Sequence, residues 1–348
     1  MLGGGTFVTQ NKVLPGSYIN IVSASKANTN VGERGTVAIA LPLGKSAGNV
    51  ITITKAEFVQ DCEAILGHAS TADEMLVMRE IFCNAHKVYV YDLGVGDDVK
   101  TVEDACKTLE AYDFNVIIAY TDVENDVNTY ITRVKSWRDD MGKKCQVVVY
   151  NVAECDHEGV INVTTTVSDE DTVAYALIAW VGGAEAGCEI NASCTNKEYD
   201  GEYTPVTNLT QTELETAIKN GELVFHLVYD KVRVLEDVNS LTTVSVDKGE
   251  DFKSNQTIRV VDQIANDIAK LFNTKYLGKI PNNKSGRVSL WADIVAHHRQ
   301  LEEIQAIEGF DSSLLTVEQG TNKKSVVIYD YVTPVNAMAQ LYMTLVVQ

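Results

Sequence analysis

The sequence predicts an α/β fold with a mixed sheet, followed by a C-terminal α+β part and flanked by extended, strand-forming terminal arms. Between residues 36 and 181, short apolar stretches alternate with longer helical patterns, which is typical of parallel βαβ units. Residues 254–277 and 288–307 have the periodicity of long helices. Segments near both ends, 17–24 and 339–347, alternate as strands do.

The N-terminal elements follow in order along the chain. Pro15-Gly16 is a turn signal before the strand at 17–24, which lies in a Gly-, Asn-, Ser- and Thr-rich arm. Segments 36–41 and 50–54 predict a short strand pair. A helix is predicted at 71–85, because Thr71 and Glu74 have the spacing of a capping box. Further strands are predicted at 88–91, 115–120, 146–150 and 160–165, and further helices at 102–112, 124–141 and 169–181.

The second half of the chain predicts a different mixture of elements. A short helix at 212–219 leads into a hairpin of 223–229 with 231–236 and a strand at 241–246. Strands at 314–317, 325–332 and 339–347 follow the two long helices. The predicted parts are an N-terminal extended arm at 1–25, an α/β body at 26–250 with a small β segment near its start, an α+β domain at 251–337 and a C-terminal arm strand at 338–348.

Composition excludes several classes of protein. The 348 residues carry a net charge of −19 and are 45% hydrophobic, so the chain has enough apolar material for a core. An acidic balance argues against a nucleic-acid binder. No apolar run reaches the roughly 18–20 residues of a membrane span. The N-terminus lacks the pattern of a signal peptide, so we expect synthesis in the cytoplasm without signal-peptide secretion.

The seven cysteines contain no C-x-x-C pair. We therefore predict free thiols in a reducing compartment, most of them serving as small core residues.

Two glycine motifs suggest a bound nucleotide, and each is incomplete. Leu43-Gly-Lys-Ser46 resembles the end of a phosphate loop, but Ile39 stands where that loop requires glycine. Gly94-Val-Gly96 follows a predicted strand as a dinucleotide fingerprint does, but Val99 replaces the third glycine. We predict a strand-connecting loop and a tight turn.

His297-His298 on the second long helix, with Glu302 four residues after His298, supplies part of a metal-ligand set that nothing nearby completes. A solvated or interface helix face is the prediction there. The sequence therefore predicts no catalytic, cofactor-binding or metal-binding residues, and no enzyme.

Charge is unevenly distributed along the chain. Residues 253–299 carry a net charge of +5, which leaves −24 for the remainder. Such asymmetry indicates a binding face for an acidic partner. The basic residues of the segment are Lys253, Arg259, Lys270, Lys275, Lys279, Lys284, Arg287 and Arg299.

Several stretches carry a family resemblance. They are RVVDQIANDI at 259–268, YLGK at 276–279, NNKSGR at 282–287, VTPVNAMAQLYMTLV at 332–346 and, near the N-terminus, PGSYINIV at 15–22. Together they make the chain resemble the contractile tail sheath proteins of bacteriophages, prophages and R-type bacteriocins. The remainder matches only in its α/β character and order.

The resemblance implies a structural role without a cofactor. Six subunits would form a ring around an inner tail tube, and stacked rings would contract from a metastable extended state to drive the tube through a target cell envelope. Baseplate and tail terminator proteins would be further partners, with no nucleic acid contact and no membrane insertion. The protein would end in a virion tail or a released bacteriocin particle.

The resemblance also implies roles for particular residues. The terminal arms would add strands to sheets of neighbouring subunits. The implied arm residues are Tyr18, Ile19, Ile21, Val22, Leu341, Tyr342, Met343, Leu345 and Val347. The C-terminal domain would face the tube, and the implied basic contacts are Lys270, Lys275, Lys279, Lys284, Arg287 and Arg299.

Two other hypotheses remain open at this point. A non-contractile cytoplasmic scaffold would form closed oligomers but no tubes. A flavodoxin-like α/β enzyme would bind its ligand at the carboxyl ends of the strands, near Gly94 or Thr121.

Overall fold

The computed structural model describes residues 32–169 and 172–347, and a seven-stranded mixed sheet lies at its centre. Its strands are β1 (Thr36–Leu41), β2 (Val50–Thr54), β3 (Lys87–Asp92), β4 (Val116–Ile118), β5 (Gln146–Tyr150), β6 (Val160–Val163) and β7 (Glu222–Leu223). The spatial order is β2-β3-β1-β4-β5-β6-β7, and every neighbouring pair is parallel except the antiparallel β2–β3 pair. The predicted mixed α/β fold is confirmed, whereas the predicted pairing of β1 with β2 is wrong because β3 lies between them.

Helices cover both faces of this sheet. They are α1 (Lys55–Leu66), α2 (Leu76–Asn84), α3 (Val102–Leu109), α4 (Glu124–Asp139), α5 (Leu177–Gly187) and α6 (Gln211–Lys219). Alternate residues of β1 show the division: Val37 and Ile39 pack in the core with α1, α2 and α5, while Ala38 packs with α3 and α4. Burial of both faces explains why these strands are almost entirely apolar.

Two helices on the first face differ from the prediction. Helix α1 has no predicted counterpart, although Thr54 and Glu57 form a complete capping box at its start. Helix α2 begins at Leu76 after a short 3₁₀ turn, so the predicted cap at Thr71 is wrong.

Helix α5 begins eight residues later than predicted, at Leu177, and is buried on all sides. It packs so closely on α2 that a Cβ on Gly183 would lie 2.3 Å from the Ile81 carbonyl oxygen. A helix without a polar face lacks the amphipathic periodicity that marks helix boundaries in a sequence.

The carboxylate of Asp92, at the end of β3, organises both glycine motifs. It accepts hydrogen bonds from the backbone N–H groups of Leu43 (3.1 Å), Gly44 (2.9 Å), Ser46 (2.5 Å) and Gly94 (2.8 Å). These donors resemble those that cradle a phosphate, but here they bind the chain's own carboxylate. Burial alone would raise the pKa of Asp92, but the backbone donors outweigh burial and lower it.

The other strand end that we considered for a ligand is also occupied by local structure. The hydroxyl of Thr121 accepts a hydrogen bond from the Val123 backbone N–H at 3.1 Å, just before α4. Both positions named by the enzyme hypothesis thus take part in loops that connect strands to helices.

The C-terminal half builds a third core around two long helices. These are α7 (Asn255–Leu271), which ends in a π-helical turn at Phe272–Tyr276, and α8 (Lys284–Glu303). Three two-stranded sheets pair β8 (Phe225–Val228) with β9 (Lys231–Val234), β10 (Ile307–Glu308) with β13 (Thr333–Pro334), and β11 (Thr316–Gln319) with β12 (Val326–Tyr329). Among the described residues, no helix is both long enough and apolar enough to cross a membrane.

The predicted strand at 241–246 is wrong. The backbone N–H groups of Thr242 and Thr243 donate to the Asp156 carboxylate at 2.7 and 3.0 Å, so a side chain replaces the ladder partner that a strand needs. Leu241 is buried but residues 242–246 are all exposed, so the segment lacks the alternating buried face of a strand.

We predict that Asp92→Asn lowers the free energy of unfolding by about 1–3 kcal/mol at pH 7, because a charged acceptor of several backbone donors becomes neutral. The folded-state pKa is lowered, so this stabilisation is present above the ordinary carboxyl value and is lost as pH falls through the folded value. Urea unfolding of both proteins should therefore give curves that converge below about pH 4.

The matched control is Asp98→Asn, because Asp98 is exposed and pairs with Lys100 on the surface. A loss of the same size at pH 7 and at about pH 3 would contradict the assignment of the Asp92 charge.

Candidate assembly surfaces

The first turn of α7 holds the base of the C-terminal arm. The buried side chain of Gln256 accepts from the Ala337 N–H at 2.9 Å and donates to the Val335 carbonyl at 3.0 Å. The Asn336 amide donates to the Thr257 hydroxyl at 3.1 Å. The Gln256 amide thus bonds the backbone as an adjacent β-strand would, with one donor and one acceptor. These bonds fix the backbone as far as Ala337.

Beyond that point the arm is exposed. Leu341, Tyr342, Met343, Leu345 and Val347 are 77–88% exposed, and no strand forms between residues 335 and 347. The strand predicted at 339–347 is therefore absent from the single chain. A contiguous run of large exposed apolar side chains marks an interaction site rather than ordinary surface.

The start of the described chain contacts the same helix. Tyr18, Ile19, Ile21 and Val22 lie outside the described residues. The first described residue, Gly32, donates its N–H to Asp267 of α7 at 3.1 Å. This contact at Asp267 lies about 16 Å along α7 from Gln256, at 1.5 Å per residue. Helix α7 thus contacts both the first described residue and the base of the C-terminal arm.

His297 and His298 support these two attachments. His297 Nε2 lies 2.9 Å from the carboxylate of Asp267, and His298 Nε2 lies 2.8 Å from that of Asp330, just before β13. Both rings are buried, so the predicted solvated or interface helix face is wrong. Glu302 pairs with Arg299 instead of approaching the histidines.

The basic candidates fall into two places. Five of them, at positions 270, 275, 279, 284 and 287, lie where α7 ends and α8 begins, and we call this region the basic corner. Arg299 is separate, about 22 Å along α8 from Lys284. Within the basic corner, Lys275 pairs with Asp293 at 2.6 Å, and the guanidinium of Arg287 donates to the Asn282 side chain at 3.0 Å. Lys270, Lys279 and Lys284 are exposed.

Arg259 differs from the other basic residues of the segment because its charge is buried. Its Nη2 lies 2.7 Å from a carboxylate oxygen of Glu185 on α5 and 3.2 Å from one of Asp237, which follows β9. Arg259 therefore adds nothing to the surface charge that the sequence indicated. It joins α7 to the sheet body, and we call these three residues the buried charge cluster.

Protonation balances the charge of this cluster. Burial raises the pKa of Glu185 well above its ordinary range, and the neighbouring Asp237 charge adds to the effect. Burial opposes ionisation of Asp237 too, but Arg259 and a hydrogen bond from Glu185 lower its pKa. One guanidinium thus faces one carboxylate and one carboxylic acid. Glu185 Oε1 and Asp237 Oδ1 are buried and have no other hydrogen-bond partner among the described residues, and a proton shared between the two carboxyl groups would satisfy both.

A second buried ion pair also joins α7 to the sheet body, through α4. Arg138 on α4 binds Asp262 on α7 through two hydrogen bonds of 2.5 and 2.9 Å. Sequence reasoning missed both pairs, because charged residues on a helix normally indicate its solvent face.

We predict that Arg259→Met destabilises the protein by about 3–5 kcal/mol, since it leaves a buried carboxylate without its partner. Glu185→Gln should cost far less than Asp237→Asn, because glutamine matches the protonated acid in shape and can still donate. Denaturant unfolding monitored by circular dichroism measures all three.

Arg299→Met is the matched control, because Arg299 is exposed and its ion pair with Glu302 contributes about 0–1 kcal/mol. Equal effects at Arg259 and Arg299 would contradict the burial of the cluster.

Comparison of this sequence with known protein families gives two matches. A model of the phage tail sheath protein central domain matches residues 98–240, and a model of the phage tail sheath C-terminal domain matches residues 247–348.

Individual relatives agree with these domain matches. The uncharacterized protein YqbK of Bacillus subtilis is 32% identical over 72% of this chain and 57% of its own length. The tail sheath protein of Clostridium phage phiCD119 is 28% identical over 64% of this chain, and the match spans 62% of that protein.

Solved structures share the fold. The sheath tail protein of Desulfitobacterium hafniense has a TM-score of 0.79 at 26% identity, covering 93% of this chain and 97% of that one. A chain of the contracted anti-feeding prophage helical sheath has a TM-score of 0.70 at 15% identity, covering 96% and 99%, and this likeness concerns the fold alone. With both domains matched and the fold shared over nearly the whole length, this chain belongs to the contractile tail sheath family.

Proposed function

We propose that this chain is the repeating subunit of a contractile tail sheath, which stacks as hexameric rings around an inner tube. In this proposal the sheath contracts from a metastable extended state and drives the tube through a target cell envelope. Baseplate and terminator proteins cap the stack. The observation that carries the proposal is the exposed apolar C-terminal arm, in a chain whose two domains match those of tail sheath proteins.

The arm supports assembly because its side chains alternate. If the arm forms a strand, Met343 and Leu345 project to one side of it and Thr344 projects to the other. Added to a sheet edge in a second subunit, the arm would bury one apolar face and satisfy its backbone. The two-stranded sheet of β11 and β12 is a suitable acceptor: beside β11 lies a groove of about 430 Å³ that includes Val288 and Trp291.

Different parts of the chain are proposed to make different contacts in the assembled sheath. Residues 251–337 are proposed to face the tube through the basic corner, residues 338–348 to form the arm strand, and residues 26–250 to form the outer body. The basic corner lies in an otherwise strongly acidic protein, so charge can orient the subunit on an acidic tube. Lys270, Lys279 and Lys284 are exposed and available for this contact.

The contacts of α7 with Gly32 and with the base of the C-terminal arm support a mechanical cycle. Each subunit stays tethered to its neighbours through the arms while its body rotates and repacks. Contraction is then a transition between two discrete packings of many subunits, and interface formation supplies the free energy. The proposed cycle uses no nucleotide or other cofactor.

We predict that deleting residues 338–348 prevents assembly of cylinders and leaves the fold intact, because residues 338–347 are exposed and contribute little to the core. Negative-stain microscopy of the purified protein tests for cylinders, and circular dichroism tests the fold.

Met343→Asp with Leu345→Asp should reproduce the deletion, whereas Thr344→Asp, on the other side of the strand, is the matched control. Cylinders formed by the truncated protein would rule out the proposed arm.

We predict that Lys279→Glu with Lys284→Glu weakens binding to purified inner tubes at low salt, because the variant replaces two positive charges with two negative charges on the surface proposed to face an acidic tube. Co-sedimentation with tubes measures binding, and the difference from wild type should shrink as salt screens the charges.

Lys107→Glu with Lys219→Glu makes the same change in net charge on the sheet body and should bind normally. Unchanged binding of the basic-corner variant at every salt concentration would remove this surface from the proposal.

A further inference from the structure

A short loop of the sheet body penetrates the C-terminal core. Residues 188–194, which we call the wedge loop, directly follow α5. Ile190 is 6% exposed and belongs to the third core, together with residues of α7 and α8. The side-chain amide of Asn191 donates to the Ile304 carbonyl, at the end of α8, at 2.8 Å. The loop thus contacts both long C-terminal helices.

The buried charge cluster holds the wedge loop in place. Arg259 donates to the Ala192 carbonyl at 2.7 Å. The Asp237 carboxylate accepts from the Cys194 N–H at 2.8 Å and from the Ser193 hydroxyl at 3.2 Å. Any covalent closure of this loop would therefore act directly on the junction between the sheet body and α7.

The wedge loop has a cysteine at each end, Cys188 and Cys194, and the two residues lie close together. The Cys188 N–H donates to the Ala184 carbonyl at 2.8 Å, and the Cys194 thiol approaches the same oxygen at 3.7 Å. Both residues therefore lie beside one carbonyl oxygen, and the interaction between their thiols lowers the pKa of Cys188 and raises that of Cys194. Cys188 is half-buried, whereas Cys194 is 1% exposed. One thiol is within reach of a small reagent, and the second lies behind it.

We propose that Cys188 and Cys194 form a redox modification site, which a low-molecular-weight disulfide oxidises to an intrachain disulfide that closes the wedge loop. The thiols stay reduced where the protein is made and become oxidised when the protein meets such an oxidant. This proposal does not depend on how the protein assembles.

The surroundings favour Cys188 as the attacking group. The hydrogen bond from Cys194 lowers the pKa of the Cys188 thiol to about 7, against the opposing effect of burial and with help from the positive charges of Arg259 and Arg34. Thiolate, rather than thiol, is the nucleophile in disulfide exchange. The same hydrogen bond raises the pKa of Cys194 well above its ordinary range, so Cys194 keeps its proton until the second step.

The reaction is an ordinary two-step exchange. The Cys188 thiolate attacks one sulfur of glutathione disulfide, forms a mixed disulfide and releases one glutathione thiolate, which takes up a proton. Cys194 then loses its proton and attacks the Cys188 sulfur of the mixed disulfide. A bond forms between the two protein sulfurs and the second glutathione leaves. Two protein thiols are oxidised by two electrons, and one glutathione disulfide is reduced to two thiols.

Peptide mass spectrometry of the full-length protein tests the proposal. The reduced chain is equilibrated in buffers of falling ratio of glutathione to glutathione disulfide, quenched with acid and alkylated under denaturing conditions. Cys188 and Cys194 should lose alkylation together and yield a cross-linked peptide. Cys83 is the internal control, because it is also half-buried but its pKa is raised to about 12 by burial.

Single substitutions separate the two roles. Cys194→Ser should trap glutathione on Cys188, whereas Cys188→Ser should leave Cys194 reduced because it is buried. The oxidised wild type should show a higher thermal midpoint than the reduced protein, and dithiothreitol should remove the difference.

Two results would overturn the proposal. The first is full alkylation of both cysteines at every glutathione ratio. The second is glutathione bound to Cys188 in the wild type without an internal disulfide. Both measurements use the wild-type chain, so they stand even if a variant fails to fold. An unchanged thermal midpoint in the oxidised protein would overturn closure of the loop as a structural constraint.

Discussion

The buried guanidinium of Arg259 is the interaction on which the arrangement of the two halves depends. Removing an ion from water costs several kcal/mol, so a buried arginine persists only with well-placed partners. Here a carboxylate of Asp237, the acid of Glu185 and the Ala192 carbonyl provide them. Each partner belongs to the sheet body, while Arg259 belongs to α7. The cluster therefore specifies how the C-terminal helices sit on the sheet.

Helix α7, held in this position, contacts both the first described residue and the base of the C-terminal arm. Its first turn binds residues 335–337, and Asp267, further along, binds Gly32. Adjacent histidines of α8 reinforce the two sites, one through Asp267 and one through Asp330. A subunit that is linked to its neighbours through such arms can pass force into a rigid helix rather than into a loop.

The alternation of strands and helices was predictable, because periodicity is a local property of the chain. The sheet strands β3, β4 and β5 lie where the pattern predicts them, and the C-terminal resemblance led to the family. The apolar arm was also visible in the sequence, since Leu341 to Val347 alternate. Helix α1 was missed although its capping box is present, and α5 was misplaced because it is buried all round. Whether a helix is buried on all sides depends on the elements that pack around it. A local sequence pattern carries no information about those elements.

The sequence by itself determined the α/β class, the two long helices and the position of the apolar arm, since each follows from residues close together in the chain. Only the tertiary structure decided which charges are internal. Arg259 looked like part of a basic surface, and His297 and His298 like a solvated face, yet all three are buried beside carboxylates far away in sequence. The backbone donors of the phosphate-like loop are likewise taken by Asp92. The cost of burying a charge depends on the partner that folding brings to it, and that partner is set by the packing of distant segments.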